Sequence, residues 1–439
     1  RLFPFTLFRV RVTFLFVILR RSRRISKIGV RIVMYKETLE LRGHIIDSLI
    51  LPKILDNIIS HGGDYKIEEI LIGHKKEDPS YTRIAIQAAS NKNLQWILKN
   101  AIANGATILK EEEAITKKAP RNGIFPDDFY STTNLPTFVR LKKRWLEVKD
   151  IEMDCGIVVH YKKDEAVCVP MCDVRKGDHV VIDGRGIKVT PVERARGKEV
   201  FSFMSSAVSY EKPKLLITRQ IAGYIKDIKK HGKNVLFVAG PAVVHTGAGK
   251  YLSAIIKSGY VDVLFAGNAL AVHDVESAIY GTSLGISLEK GIPISRGHEH
   301  HMRAINTIRA IGSIRAAVNK GILRKGIMYS CIKYDVDFVL AGSIRDDGPL
   351  PEVITDTMTA QRIMRSKVKG VGIAIMIASA LHSIATGNLL PSSVKTVCVD
   401  IDPSVVTKLT DRGTFQAIGL ITDLEPFLRE LAKCLSHPS

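Results

Sequence analysis

The chain reads as α/β. It predicts an open, doubly wound parallel sheet in the C-terminal half, a ferredoxin-like α+β unit near the start and a small β-rich module between them. Three observations carry this. From about Lys214 onward, short continuous apolar runs alternate with helix-length segments: NVLFVAG (234–240), VDVLFAG (261–267), FVLAGSI (338–344), VGIAIMIA (371–378) and TVCVDID (396–402). Such runs suit strands buried on both faces, as in a parallel sheet covered by helices. Residues 38–110 instead follow a β-α-β-β-α-β order, the split βαβ arrangement. Residues 151–200 hold short strands and Gly turns with little helical pattern. The expected divisions are 1–33, 34–118, 119–213 and 214–439.

In order along the chain, the alternation at Leu39 and Leu41 opens the first unit. Ile54, Leu55, Ile58 and Ile59 then fall at helical spacing after Pro52, a residue favoured in a first turn, and Gly62-Gly63 ends that helix. Strands are expected at 66–72 and 81–88, either side of the turn-rich KKEDPS, and a second helix at about 93–104. A unit of this kind commonly binds small ligands or mediates association, so a homo-oligomer is expected. Residues 119–150, with Pro120, Pro126 and Pro136, read as a connecting loop with little regular structure. Farther on, helices are expected at 250–258 and over a long periodic segment from His300 to Lys320.

A chain of 439 residues has room for two or three domains. Its six cysteines, at 155, 168, 172, 331, 398 and 434, form no CxxC pair. That usage fits reduced thiols in a cytoplasmic protein and gives no zinc-ribbon signal; Cys168 and Cys172 read as core packing. The net charge of +20 divides unevenly, since residues 1–33 hold eight Arg, one Lys and no acid. The remainder is moderately basic, suited to anionic cofactors or substrates, and is not a nucleic-acid stripe with interleaved aromatics. Residues 2–19 are apolar but interrupted by Arg9 and Arg11, and Arg20-Arg21-Ser22-Arg23-Arg24 follows. A membrane span and a secretory signal both require a different pattern. The segment reads as upstream translation or an ill-chosen start, with Met34 the expected initiator; the alternative is a membrane-anchoring N-terminus.

The chemistry concentrates at predicted strand ends. TVCVDID delivers Asp400 and Asp402 to a tip where a carboxylate can accept hydrogen bonds from ribose hydroxyls and repel a 2′-phosphate, which would select NAD over NADP. The plainer alternative is an acid capping the turn at Pro403. Gly240-Pro241-Ala242 and Thr246-Gly247-Ala248-Gly249-Lys250 make a Gly-bearing turn that fits neither GxxxxGK[ST] nor GxGxxG; phosphate cradle and ordinary βα turn both remain open. Asn268 follows Gly267 at the next strand end. His298-Glu299-His300-His301 lacks the i, i+4 spacing of an HExxH metal pair, leaving pocket, proton-transfer and capping roles open. Ser343-Ile344-Arg345-Asp346-Asp347, stiffened by Pro349 and Pro351, offers an Arg for a carboxylate and acids for an ammonium. Ser379 to Asn388 and Thr422-Asp423 are further polar strand exits.

ELRGHIIDSLILPKILDNI, FYSTTNLPTFVR, GHEHHMRAIN, VLAGSIRDDGPLPEVITD and VCVDIDPSVVTKLTDRG resemble the archaeal-type ornithine cyclodeaminase family, the LOR/SDH-like proteins. The resemblance runs from about Thr38 to the C-terminus. It implies a deoxyhypusine-synthase-like NAD domain, L-ornithine as substrate, and L-proline and ammonia as products. Carried onto matching positions, it implies NAD contacts from Asn268, Ala269, Asp347, Asp400 and Asp423, with Ser379, Ala380, Leu381 and His382 near the phosphates. Glu299, His300 and Asp346 are the candidates for proton handling and Arg345 for the substrate carboxylate, with no metal expected. Competing expectations are a saccharopine-type dehydrogenase and a non-catalytic amino-acid sensor.

Overall fold

The computed structural model describes residues 34–190 and 214–436, apart from 44, 47–49, 74–77, 109–111, 289–290, 293, 295–296, 347 and 413–416. The expectations placed on residues 1–33 and on Asp347 therefore lie outside the described residues.

The first unit is built from β1 (Tyr35–Gly43), α1 (Ile50–Ser60), β2 (Gly63–Leu71), β3 (Ser80–Ala88), α2 (Asn91–Ala103) and β4 (Thr107–Ile108). Its antiparallel sheet has the order β2-β3-β1-β4, the ferredoxin-like arrangement expected. Alternate strand residues Leu39, Leu41, Ile84 and Ile86 pack on Ile54, Ile58 and Ile97 of the helices. Ser90 caps α2 by accepting from the Asn93 N–H at 3.1 Å.

The second unit is a sheet of β5 (Ile115–Lys118), β6 (Thr137–Leu141), β7 (Arg144–Lys149), β8 (Gly156–His160), β9 (Glu165–Val169), β10 (His179–Ile182) and β11 (Ile187–Val189), in the order β11-β6-β7-β9-β8-β10-β5. Two strands thus lie in the stretch 119–150 that reads as a loop. The hairpin turn joining β6 and β7 is Lys142-Lys143, both with positive φ (52° and 62°). Such turns are usually announced by Asn or Gly, and two lysines conceal this one. β5 also pairs with β10, so this sheet takes up the chain before residue 118.

The third unit carries β12 (Asn234–Ala239), β13 (Val263–Gly267), the hairpin β14 (Thr282–Ser283) and β15 (Ile286–Ser287), β16 (Asp337–Ala341), β17 (Val353–Ile354), β18 (Val371–Ile377), β19 (Lys395–Asp400) and β20 (Ala417–Ile421). Its helices are α3 (Lys214–Lys230), α4 (Ala242–His245), α5 (Gly249–Lys257), α6 (Asn268–Tyr280), α7 (His300–Ile311), α8 (Ile314–Asn319), α9 (Ile327–Lys333), α10 (Thr357–Lys367), α11 (Ala380–Leu389), α12 (Pro403–Arg412) and α13 (Leu424–Ser436). The sheet is parallel throughout, in the order β17-β16-β13-β12-β18-β19-β20. The chain steps outward from β12 on one side, returns, and steps outward from β18 on the other. That reversal is the Rossmann order, and it opens a crevice at the carboxyl ends of β12 and β18. Apolar clusters cover both sheet faces, which accounts for the continuous apolar runs.

The expected long helix over 300–320 is two helices. Gly312 takes φ 102° and ends α7, and Ser313 caps α8 by accepting from the Ala316 N–H at 2.9 Å. The apolar period continues through the break and masks it.

Asp274, buried on α6, accepts from the Ile327 and Met328 N–H groups at the start of α9, both at 2.8 Å. Asp274→Ala would orphan those donors and should lower stability by about 2–4 kcal/mol in urea denaturation. Burial pushes this carboxyl up to about 6, so the folded state takes up its proton before the unfolded state does. Wild type therefore gains stability as pH falls from about 6 toward the ordinary value, and its margin over Asp274→Ala should widen.

Contacts join the second and third units. Arg365 Nε donates to both oxygens of the buried Glu152 at 2.8 Å, the Met153 N–H donates to Asn388 O at 3.1 Å, and the Ser392 N–H to Asn134 O at 2.8 Å. Among the described residues, no helix is long and apolar enough to cross a membrane.

Candidate functional site

Gly240 and Ala378 form the floor of the crevice. The Gly240 N–H donates to Ile377 O at 2.9 Å, and Ala378, with φ 47°, donates to Val399 O at 3.1 Å. A Cβ on Gly240 would stand 1.7 Å from Ala378 O, so β12 and β18 meet here only because one of them ends on glycine.

The helices leaving the tips on either side of β12 both start without a side-chain cap: α6 after Gly267 and α11 after Ser379. Among the described residues no side-chain cap takes up their first-turn N–H groups, and two helix dipoles favour an anion there. Ser383 Oγ, fully buried in the first turn of α11, has no hydrogen-bond partner in the described structure. His382 reaches from α11 across the rim. Its ring would lie 2.9 Å from a Cβ on Gly267, and it hydrogen-bonds the backbone of Ala341 at the tip of β16. Burial lowers its pKa, against the effects of that bond and of Asp346, so the ring is neutral.

The other predicted residues distribute along this edge. Asn268 is buried and its Oδ1 accepts from the Leu350 N–H at 3.1 Å, while Ala269 is exposed. Ser379 is buried; Ala380 and Leu381 are exposed. Asp400, half-buried at the tip of β19, accepts from the Asp402 N–H at 2.9 Å; Asp402 accepts from the Ser404 N–H and so caps α12. Asp423 is exposed beyond β20 and accepts from the Glu425 N–H at 3.2 Å. Asp346 accepts from the Ser343 N–H at 2.8 Å, which stiffens the loop and leaves the Arg345 side chain in solvent. At about 4.8 Å per strand, the tips of β16 and β19 stand about 19 Å apart. A dinucleotide laid along the edge would meet Asn268, the start of α11 and Asp400 in turn.

A second cluster lies beside the rim, between α4, α6 and α7. Glu299 pairs with Arg303 at 2.6 Å. His300 stacks on Tyr280 and its Nδ1 lies 2.8 Å from Thr282 Oγ1, which donates to Glu276 Oε1 at 2.9 Å. Glu276 also receives His273 Nδ1 at 2.9 Å, and the His273 ring meets His245 edge-on at 4.6 Å. Sequence reasoning missed His245, His273 and Glu276. The signal was a His and a Glu at i, i+3 on the helix that leaves the β13 tip, legible only once that helix is placed. A cavity of about 240 Å³ lies elsewhere, between the first two units, and is lined by Glu37, Trp145, Arg185 and Lys188 among others.

A Rossmann-order sheet with uncapped helices beside its reversal and an acid at the next tip defines a dinucleotide-binding α/β protein. Residues 219–431 match the family described as arginine dihydrolase ArgZ-like, C-terminal, Rossmann fold; 136–218 match its first region, and 36–135 the LOR/SDH bifunctional enzyme conserved region. The ornithine cyclodeaminase of Methanothermobacter thermautotrophicus is 54% identical over 396 residues, 90% of this chain and 96% of that protein. That of Methanocaldococcus jannaschii is 51% identical, covering 91% and 96%. Among solved structures, apo ArgZ, a cyanobacterial arginine dihydrolase, aligns with TM-score 0.80 at 35% identity over 92% of this chain and 58% of its own. A LOR/SDH protein from Methanococcus maripaludis aligns with TM-score 0.69 at 48% identity over 75% and 98%. AgrE, solved as a ternary complex with ornithine and NAD+, aligns with TM-score 0.50 at 37% identity over 92% and 57%. The chain belongs to the ornithine cyclodeaminase family.

Proposed function

We propose that this protein is an ornithine cyclodeaminase that converts L-ornithine to L-proline and ammonia, with NAD as a recycled hydride carrier. The observation that carries the reading is the crevice between β12 and β18, flanked by two uncapped helix starts and continued by Asp400. When bound, NAD supplies reversible hydride exchange, and the overall reaction has no net redox change. First-turn N–H groups of α6 and α11 hold the pyrophosphate, and Asp400 accepts from ribose hydroxyls. Asn268, Ala269 and Ser379 to His382 line the path between them. Asp423 closes its outer end. Arg345 binds the substrate carboxylate, and Asp346, Glu299 and His300 serve the ammonium groups and proton handling.

Incubation with labelled ornithine and trace NAD⁺ should yield proline and ammonia in equal amounts with no accumulated NADH. Net NADH formation from saccharopine, without proline, would replace this reading with a dehydrogenase. Asp400→Ala should weaken NAD binding about tenfold and reduce discrimination against NADP, as read by calorimetry with each coenzyme.

A further inference from the structure

We propose that Glu276 is a positioning carboxylate that fixes His273 and His300 in one tautomer, Nδ1–H, so that both present Nε2 as the proton acceptors of the cyclodeaminase reaction. The inference deepens the function proposed above and rests on it.

Glu276 is fully buried on α6, yet its carboxylate is saturated with donors. Oε2 takes His273 Nδ1 at 2.9 Å and the Leu284 N–H at 3.4 Å; Oε1 takes Thr282 Oγ1 at 2.9 Å and the Gly285 N–H at 3.2 Å. Burial alone would raise its pKa, but the bonds from His273, Thr282 and Gly285 outweigh it and the group stays ionised. An ionised carboxylate only accepts, so His273 carries its hydrogen on Nδ1. Thr282 has one hydroxyl hydrogen, and that hydrogen is committed to Glu276. Toward His300 Nδ1, at 2.8 Å, it can only accept, so His300 also carries its hydrogen on Nδ1. One carboxylate thus sets two rings, one directly and one through a hydroxyl. Capping the 282–285 turn would need only the backbone donors; the two imidazoles are additional.

The cluster is carried on elements that leave the crevice. α6 begins at the β13 tip, and His245 ends the short helix that follows Gly240. His245 holds Ser283 Oγ at 2.6 Å, and burial lowers its pKa to about 4, so a neutral ring lies beside His273. The reaction supplies the need for two acceptors. The α-ammonium must lose a proton before Cα can give up hydride and become an iminium carbon, and the δ-ammonium must lose one to free the lone pair that forms the new N–C bond. As the bond from Cα to the α-nitrogen breaks, that nitrogen takes up a proton from the ring nitrogen and departs as ammonia. The two protons taken are returned to the ammonia and to the proline nitrogen, and hydride exchange with NAD nets to zero, so atoms and charge balance.

The test uses the full chain with NAD. In Glu276→Gln, the amide can offer His273 a donor where the carboxylate accepted; kcat should fall about 100-fold or more while ornithine and NAD binding by calorimetry change less than threefold. Thr282→Val, which cuts only the His300 arm, should also lower kcat, and Thr282→Ser should restore it. Ring-nitrogen NMR of the wild type should show Nδ1–H on both His273 and His300, a readout independent of turnover and of variant folding. Nε2–H on either ring, or Glu276→Gln turning over like wild type, would overturn the inference. Absence of proline formation by wild type would instead remove the function it rests on, leaving the tautomer result to stand or fall separately.

Discussion

Gly240→Ala is expected to abolish tight coenzyme binding and to destabilise the C-terminal half. The added Cβ would meet Ala378 O at 1.7 Å and Ala378 C at 2.6 Å, both backbone atoms of the neighbouring strand exit. Neither can rotate aside. Ala378 already occupies the left-handed region, at φ 47°, which an alanine adopts at a cost of about 1–2 kcal/mol. Its own N–H is committed to Val399 O at 3.1 Å, so the residue cannot shift bodily without breaking the ladder to β19. The remaining escape is to spread the ends of β12 and β18, which displaces Ser379 and the open first turn of α11. Overpacking of this kind typically costs about 1–3 kcal/mol. Because the strain falls on the donors assigned to pyrophosphate, NAD affinity should drop more than tenfold. Denaturant unfolding and calorimetry with NAD check the two effects separately, and a variant with wild-type affinity would mean that the coenzyme does not lie over this floor.

Glu152→Ala should be the most destabilising of the single replacements considered. The Glu152 side chain is 4% exposed and faces the Arg365 guanidinium, itself 21% exposed. Its Oε1 also accepts from Cys155 Sγ at 3.1 Å. Desolvation lowers the Arg365 pKa, but its bond to Glu152 and the attraction of that charge reverse this and leave it raised. Removing the acid strands a half-buried cation between two domains, an arrangement that costs about 3–5 kcal/mol when one partner of a buried pair is lost. Replacing both, as Glu152→Met with Arg365→Met, should recover most of the loss, because an apolar pair of similar volume needs no counter-charge. Chemical denaturation of the two variants decides it; equal losses in both would mean that packing, and not charge, governs this joint.

The parallel sheet was legible because its strands are buried on both faces, which leaves continuous apolar runs at 234–240, 371–378 and 396–402. An acid at the end of the last of these runs was legible too, and Asp400 does close β19. Asp402, read as part of the same strand, instead caps α12, since the strand ends two residues earlier. The β6–β7 hairpin was hidden by lysines in left-handed conformations, and β17 by its length of two residues. His273 and Glu276 escaped for a different reason. Their partners Thr282 and His300 are distant along the helix and loop, and their meaning lies in a hydrogen-bond direction that spacing does not encode.

One consequence follows from α11, a helix about 15 Å long. Near its start, His382 rests on Gly267 and bonds the backbone of Ala341; near its end, the Asn388 carbonyl holds the Met153 N–H of the β-rich module. The rod is pinned at both ends, to the rim at one and to a separate domain at the other. Rotation of that module against the Rossmann half would therefore be felt by an imidazole at the rim. If the coenzyme sits where proposed, its seating beside that imidazole would in turn bias the angle at which the module is carried.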